Sequence, residues 1–120
     1  MTTYVVLLPG DEAVWEAATE EERSSIYAKH GEFARLLAER GHTITAGAEL
    51  TPSAGAKSLR YTDYGVSVTD GPYAEVVEQL GGFYVVESDD VDDLLEICRV
   101  LVGPEGGIEL RAAVGSEEAP

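Results

Sequence analysis

The chain has 120 residues, 44% of them hydrophobic, which is the length and composition of one folded domain. Its 23 Asp and Glu residues against eight Lys and Arg residues give a formal net charge of −15. This charge excludes a surface that binds nucleic acid through its phosphates. A single cysteine, Cys98, excludes an intramolecular disulfide and a metal site with several cysteine ligands. The sequence has neither a membrane-spanning apolar run nor a basic leader, so we expect a cytoplasmic protein with no membrane partner.

The N-terminal third predicts one strand and two helices. Residues 3–8 are mostly β-branched, aromatic or aliphatic, which is typical of a buried central strand. Residues 11–18 predict a short helix. A longer helix begins at Thr19, because Thr19 and Glu22 have the spacing of a capping box, and it ends at Gly41.

The middle of the chain predicts strands and one long connection. The strands are expected over residues 43–50, 57–61 and 66–69. Because Val66 and Val68 alternate with polar residues, the third of these strands should have one buried and one polar face. Residues 70–82 predict a connection with a helical turn around residues 74–80.

The last third predicts a strand, a helix and a strand. Residues 83–86 form the first strand, and Ser88 caps the helix that follows. The expected apolar stripe of this helix is Val91, Leu94, Leu95, Cys98, Leu101 and Val102. Gly103-Pro104 ends the helix, residues 108–114 form the last strand, and residues 115–120 form a flexible C-terminal tail.

This order of elements predicts a single α+β domain over residues 1–114 with a ferredoxin-like plan. Two long helices should cover one face of a mainly antiparallel sheet. The other face then has no helix to cover it. A homodimer packed through the sheet face is the simplest solution, and it is the self-association that we expect.

Two histidines and the cysteine are the first candidates for chemistry. His42 follows the end of a helix, where an imidazole is expected to face solvent or pair with the helix terminus. His30 lies on the apolar stripe between Ile26 and Phe33, so its ring should turn inward and need a hydrogen-bond partner. Spacing alone favours a core or edge histidine. Cys98 lies on a helix stripe and is expected to be a small buried hydrophobe rather than a nucleophile.

The segment 70–84 is unusually polar for a connection. It carries three carboxylates and two phenols, namely Asp70, Glu75, Glu78, Tyr73 and Tyr84. Asp70-Gly71-Pro72 has the composition of a tight turn, so a structural corner explains part of the segment. Loops on a rigid scaffold are also where functional sites concentrate, and the residues alone leave both readings open.

The same segment resembles a known family signature. The block Asp70-Gly71-Pro72-Tyr73-Ala74-Glu75, followed by Glu78-Gln79-Leu80-Gly81-Gly82-Phe83-Tyr84, is similar to that of the YCII-related proteins, specifically the DGPF branch. The similarity extends over about residues 3–114. It implies a dimeric ferredoxin-like α+β barrel with a cleft near the subunit interface. It also implies a His-Asp pair, for which His30 and Asp70 are the matching positions.

Two departures from the family pattern bear on the ligand. Tyr73 stands where the branch usually has Phe, which adds a hydroxyl. Val76-Val77 replaces a polar pair that includes a lysine, which weakens the case for a negatively charged ligand. The cations that remain near the expected site are Arg60 and Lys57.

These observations lead to three hypotheses of function. In the first, an enzyme without a metal or organic cofactor uses His30 and Asp70 for general acid/base chemistry, hydrolysis or isomerisation, on an unknown small substrate. Its expected ligand-binding residues are Gly71, Pro72, Tyr73, Glu75, Tyr84 and Arg60. The alternative, which the resemblance to the DGPF branch implies, is a non-catalytic regulatory protein that binds an extracytoplasmic-function sigma factor without touching DNA. In the third, the His-Asp pair only braces the loop.

Overall fold

The computed structural model describes residues 1–116, and within them six strands and three α-helices follow one another. The elements are β1 (Thr2–Asp11), α1 (Glu12–Ala17), α2 (Glu20–Glu39), β2 (Thr43–Glu49), β3 (Lys57–Thr62), β4 (Gly65–Asp70), β5 (Glu78–Ser88), α3 (Val91–Cys98) and β6 (Glu109–Ala112). Single 3-10 turns occupy Ser53–Gly55 and Arg99–Leu101. Of the tail predicted over residues 115–120, the last four lie outside the described residues. The Ser116 hydroxyl accepts a hydrogen bond from Thr3 N at 3.1 Å.

Four strands form one antiparallel sheet in the order β2-β5-β1-β6. With α2 between β1 and β2, and α3 between β5 and β6, this is the ferredoxin-like α+β plan, and that prediction is confirmed. Within residues 1–116, strands β3 and β4 pair only with each other, as a hairpin inserted between β2 and β5. Among the described helices, none is long and apolar enough to cross a bilayer.

The core lies between one face of the sheet and helices α2 and α3, of which only α2 is long, with 20 residues against eight. Its largest buried side chains are Val6 and Val86 from the sheet, Phe33 and Leu37 from α2, and Leu94 and Ile97 from α3. Since neighbouring residues of a strand point to opposite faces, the other face carries two apolar pairs. Val5 lies opposite Val85, and Leu7 lies opposite Phe83.

Local signals position the helix ends as the sequence predicts. Thr19 Oγ1 accepts a hydrogen bond from Glu22 N at 3.1 Å, and Glu22 Oε1 accepts one from Thr19 N at 3.0 Å, so the capping box is confirmed. The short helix over residues 11–18 is also confirmed, with Asp11 as its N-cap. Gly41 follows α2 with a φ of 85°, a conformation that favours glycine.

The predicted helical turn at residues 74–80 is wrong. Strand β5 begins at Glu78, where Glu78, Gln79 and Leu80 pair with the last three residues of β1. This pairing satisfies the backbone of the segment from a distant part of the chain, and it overrides the local helical pattern.

The predicted stripe of the last helix is only partly correct. The helix is capped by Asp90 rather than Ser88, and it ends at Cys98, where a 3-10 turn tightens the chain. Leu95 and Val102 are therefore exposed, whereas Ile97, which the stripe omitted, is buried. Cys98 is buried, and burial raises the pKa of its thiol to about 11, so its prediction as a small buried hydrophobe is confirmed.

Within one chain, the predicted buried face of the third middle strand is wrong. Val66 and Val68 are 66% and 65% exposed, because β4 pairs only with β3 and the hairpin does not join the four-stranded sheet. We call residues 57–70 the hairpin arm. The described residues have a radius of gyration of 16.5 Å, against about 14 Å for a compact domain of this length.

Candidate functional site

A cleft of about 710 Å³ opens beside the helix-covered face of the sheet. Its walls come from α1, α2, β1, β2, β5 and the turn before β6. The aromatic and imidazole side chains that line it on this face are Trp15, Tyr27, His30 and Tyr84. A cleft of this size, with mostly apolar walls and a few polar groups, is typical of a small-molecule site.

His30 and Tyr84 form the polar centre of the cleft. His30 Nδ1 lies 2.6 Å from Tyr84 Oη, and the Tyr84 ring packs against Phe33 with ring centroids 5.0 Å apart. Gly47 of the neighbouring strand makes room for this ring, since a Cβ at Gly47 would lie 2.9 Å from Tyr84 Cδ1. The missing side chain on β2 is therefore what allows the phenol to reach the imidazole.

Burial sets the charge state of both groups. Removal from water lowers the pKa of the His30 imidazole below its ordinary 6.5, and the carboxylates of Glu49 and Glu105 partly oppose that change. Burial also raises the pKa of the Tyr84 phenol above 10.0. Near neutral pH the cleft thus holds a neutral imidazole beside a protonated phenol.

This pair can take up or release a proton at one atom. In the described part of the chain, His30 Nε2 has no hydrogen-bond partner, and no fully buried side-chain nitrogen or oxygen is left unpaired, so solvent reaches Nε2. If Nδ1–H donates to Tyr84 Oη, Nε2 is a base. If Tyr84 O–H donates to Nδ1, Nε2 carries the proton. The two arrangements are different imidazole tautomers, so changing from one to the other moves the ring proton between Nδ1 and Nε2 and also turns the Tyr84 hydroxyl.

The lowered pKa of His30 predicts how stability depends on pH. Between pH 6.5 and the lower pKa of the folded state, the unfolded imidazole is protonated and the folded one is not. The free energy of unfolding should therefore fall as the pH falls below 6.5, and this contribution is fully present above that value. Urea unfolding from about pH 5 to pH 7 measures the slope, and His30→Gln should make it shallower. An unchanged slope in the variant would contradict the assignment.

Carboxylates dominate the charge of the cleft. They belong to Asp11, Glu12, Glu16, Glu49 and Glu105, and no Lys or Arg among the described residues lines the cleft. Glu49 accepts a hydrogen bond from the Tyr27 hydroxyl at 3.0 Å, and Glu12 Oε2 accepts one from Ser53 N at 2.7 Å. Over residues 1–116, no three His, Cys, Asp or Glu side chains converge as metal ligands.

Of the residues predicted for the site, His30 and Tyr84 line the cleft, and the others lie at the hairpin arm or just after it. Asp70 forms an exposed ion pair with Lys57 across the two strands of the arm. The Arg60 guanidinium lies 4.0 Å from the centre of the Tyr73 ring. The structure therefore does not bring Asp70 to His30 within one chain, and their pairing stays a prediction.

The loop residues predicted to bind ligand also lie outside this cleft. Gly71 has a φ of 111°, and its N–H donates to Ala56 O at 2.7 Å, which is a structural turn. Pro72 and Glu75 follow it and do not line the cleft. The ligand-binding role of these loop residues, with Tyr73 and Arg60, stays a prediction.

The sequence missed Trp15, Tyr27 and Glu105 as cleft residues. Trp15 and Tyr27 pack edge to face with centroids 5.5 Å apart. The available signal was weak, because two aromatic residues on successive predicted helices do not by themselves indicate a shared site. A site assembled from separate elements leaves no compact motif in the sequence.

The expectation for His42 is wrong. His42 is buried, with Nδ1 2.8 Å from Ser88 Oγ and Nε2 2.8 Å from Asp93 Oδ2. The hydrogen bond from His42 is the main reason why the pKa of Asp93 lies below its ordinary value. His42 thus ties the start of β2 to β5 and α3, and a structural role uses both of its ring nitrogens.

Comparison with other proteins gives a family for this fold and cleft. A family model for the YCII-related domain matches residues 2–101. An uncharacterized protein of Rhizobium meliloti (strain 1021) is 35% identical over 98 residues, which cover 82% of this chain and 78% of that protein. The match extends well beyond the block at residues 70–84, and the chain belongs to the YCII-related domain family.

Proposed function

We propose that the chain binds a small molecule in the cleft, against the His30–Tyr84 pair. One observation carries the proposal. His42 uses both ring nitrogens for protein contacts, whereas His30 fixes Nδ1 at 2.6 Å from Tyr84 and leaves Nε2 open. An imidazole that only supports the fold gains nothing from an open nitrogen in a large cleft, while a ligand supplies the missing partner.

The same geometry supports general acid/base chemistry on that molecule. A neutral imidazole oriented by a phenol is ready to accept a proton at neutral pH, and hydrolysis and isomerisation both use such a step. Within one chain Tyr84, rather than Asp70, orients the ring. The surrounding carboxylates disfavour an anionic ligand, so the substrate class is a neutral or cationic, largely apolar small molecule.

A screen of metabolites by thermal shift tests the binding proposal. We expect at least one neutral or cationic compound to raise the Tm of the wild-type protein, since a ligand that binds only the folded state stabilises it. His30→Gln should weaken the binding of that compound by roughly tenfold, the value of one good hydrogen bond. If the compound is turned over, the rate should fall by about 10² to 10⁴.

Two further variants make the result specific to the cleft. Tyr84→Phe removes only the hydroxyl that orients His30, so its loss should be smaller than that of His30→Gln. Tyr64→Phe removes a hydroxyl from a fully exposed ring on the arm, and binding should not change. Equal binding by the wild type and His30→Gln would reject the role of His30.

We also propose a homodimer through the uncovered sheet face. Val5, Leu7, Phe83 and Val85 lie on the face opposite the core, and α2 and α3 pack on the core side. A two-fold axis would pack this apolar face against the same face of a second copy, the commonest form of self-association.

The regulatory alternative comes from the family resemblance, and the charge of the chain is compatible with it. A net charge of −15 favours contact with a basic surface of a partner such as an extracytoplasmic-function sigma factor. Under that alternative, purified protein captures the sigma factor, and His30→Gln captures it equally well. Under the small-molecule proposal, the same variant changes ligand binding.

A further inference from the structure

The hairpin arm is amphipathic, and its apolar face is turned to solvent. The strand register places Leu59 opposite Val68 and Tyr61 opposite Val66 on one face. These four side chains are 61%, 65%, 89% and 66% exposed in that order. The polar face is the sheltered one, since Ser58 is buried and its hydroxyl donates to Gly71 O at 2.7 Å.

A hairpin with an exposed apolar face is expected to pack against another surface. A two-stranded hairpin alone in water is at best marginally stable, because its strands have no third neighbour and no core to pack on. Strands β3 and β4 pair only with each other, and across residues 1–116 the large apolar side chains of their shared face stay more than half exposed. Burying that face in a contact between molecules would remove this penalty.

The distribution of charge along the chain indicates which molecule covers the apolar face of the arm. The arm holds Lys57 and Arg60 against Asp63 and Asp70, so it is neutral, and the whole net charge of −15 lies outside it. Two copies of so acidic a chain repel each other over most of their surface. The neutral, apolar arm is where a second copy can approach, whereas a basic partner would be drawn to the acidic body.

The available area agrees with a dimer. The four exposed side chains present roughly 400 Å² on each arm. In a two-fold dimer, each of the two arm faces covers an equal area on the other copy. The total buried area is then on the order of 1,600 Å², which is the size of a stable specific interface.

We propose that the arm of each chain reaches across to a second copy of the same chain and packs its Leu59, Tyr61, Val66 and Val68 face against it. This inference rests on the proposed homodimer, and it names the element that extends the interface beyond the sheets. The arm is therefore an intermolecular element of the fold.

Molar mass in solution, measured by light scattering on a sizing column, tests the arm. The wild type should have twice the chain mass of 12.8 kDa. The double variant Leu59→Asp, Val68→Asp places two charges on the apolar face and should raise the dimer dissociation constant by more than about 100-fold. Thr62→Asp, Ser67→Asp adds the same charge to the opposite face and should remain dimeric.

The outcomes separate this inference from the proposal it rests on. A monomeric wild type overturns both the homodimer and the arm. A dimeric wild type whose apolar-face variant is equally dimeric overturns the arm alone, and so does dissociation of both double variants alike. Circular dichroism checks that each variant is folded. If the aspartates unfold the chain, Leu59→Ser, Tyr61→Ser replaces them with the same expected dissociation.

Discussion

Phe33→Ala should lower the free energy of unfolding by about 3–5 kcal/mol, the range for losing a large aromatic side chain from a core. Phe33 is fully buried, packs against the Tyr84 ring and belongs to the cluster that joins α2, α3 and the sheet. A domain of this size has about 5–15 kcal/mol in total, so this single change removes a large part of its stability. Urea unfolding followed by circular dichroism measures the loss.

Two controls define what the Phe33 result means. Tyr64→Ala truncates a fully exposed ring on the arm and should change stability by less than about 0.5 kcal/mol. Phe33→Leu keeps part of the volume and should lose less than Phe33→Ala. A loss below about 1 kcal/mol for Phe33→Ala would mean that the site relaxes around the cavity and does not anchor the core.

Gly106→Ala should lower the free energy of unfolding by about 1–3 kcal/mol, the usual cost of forcing extra volume into a packed site. A Cβ at Gly106 would lie 2.3 Å from Pro9 O and 2.9 Å from Gly10 Cα. Both atoms are backbone, and the two segments are paired by a β-bridge between Gly10 and Gly106. Neither side can yield without opening the end of β1, which lines the cleft.

The next residue provides a matched control. A Cβ at Gly107 would meet no heavy atom of the described residues within 4 Å, and Gly107 lines the same cleft. Gly107→Ala should therefore leave the free energy of unfolding within about 0.5 kcal/mol of the wild type. Thermal unfolding of both variants compares them directly, and equal losses would show that backbone approach at Gly106 is not what matters.

The parts of the fold that the sequence predicts well depend on neighbours along the chain. The capping box joins Thr19 to Glu22, three positions along the chain, and Gly41 ends the helix that it directly follows. The start of β5 and the burial of Val66 depend instead on which strands pair. The residue pattern of one strand does not identify the strand that it pairs with. Periodicity predicts that a face is apolar, but not what covers it.

In the site, too, features set by neighbours along the chain could be predicted, and features set by distant partners could not. The position of His30 on the apolar side of α2 follows from helical spacing, so an inward-facing ring that needs a partner could be predicted. Its partner could not, because Tyr84 is 54 residues away and is one of six tyrosines. His42 misled the interpretation for the same reason, since both of its partners, Ser88 and Asp93, belong to the other half of the chain.

The insertion of the arm between β2 and β5 has a consequence for how the chain tolerates length changes. Those two strands are neighbours in the sheet, so residues 50–77 form a closed loop whose ends the sheet holds together. The entropy of closing a flexible loop rises only with the logarithm of its length, and a doubling costs about 0.6 kcal/mol. The four-stranded sheet can therefore tolerate a longer or shorter segment at this point with little change in its stability. The length and sequence of this segment can then change according to the surface that the arm contacts.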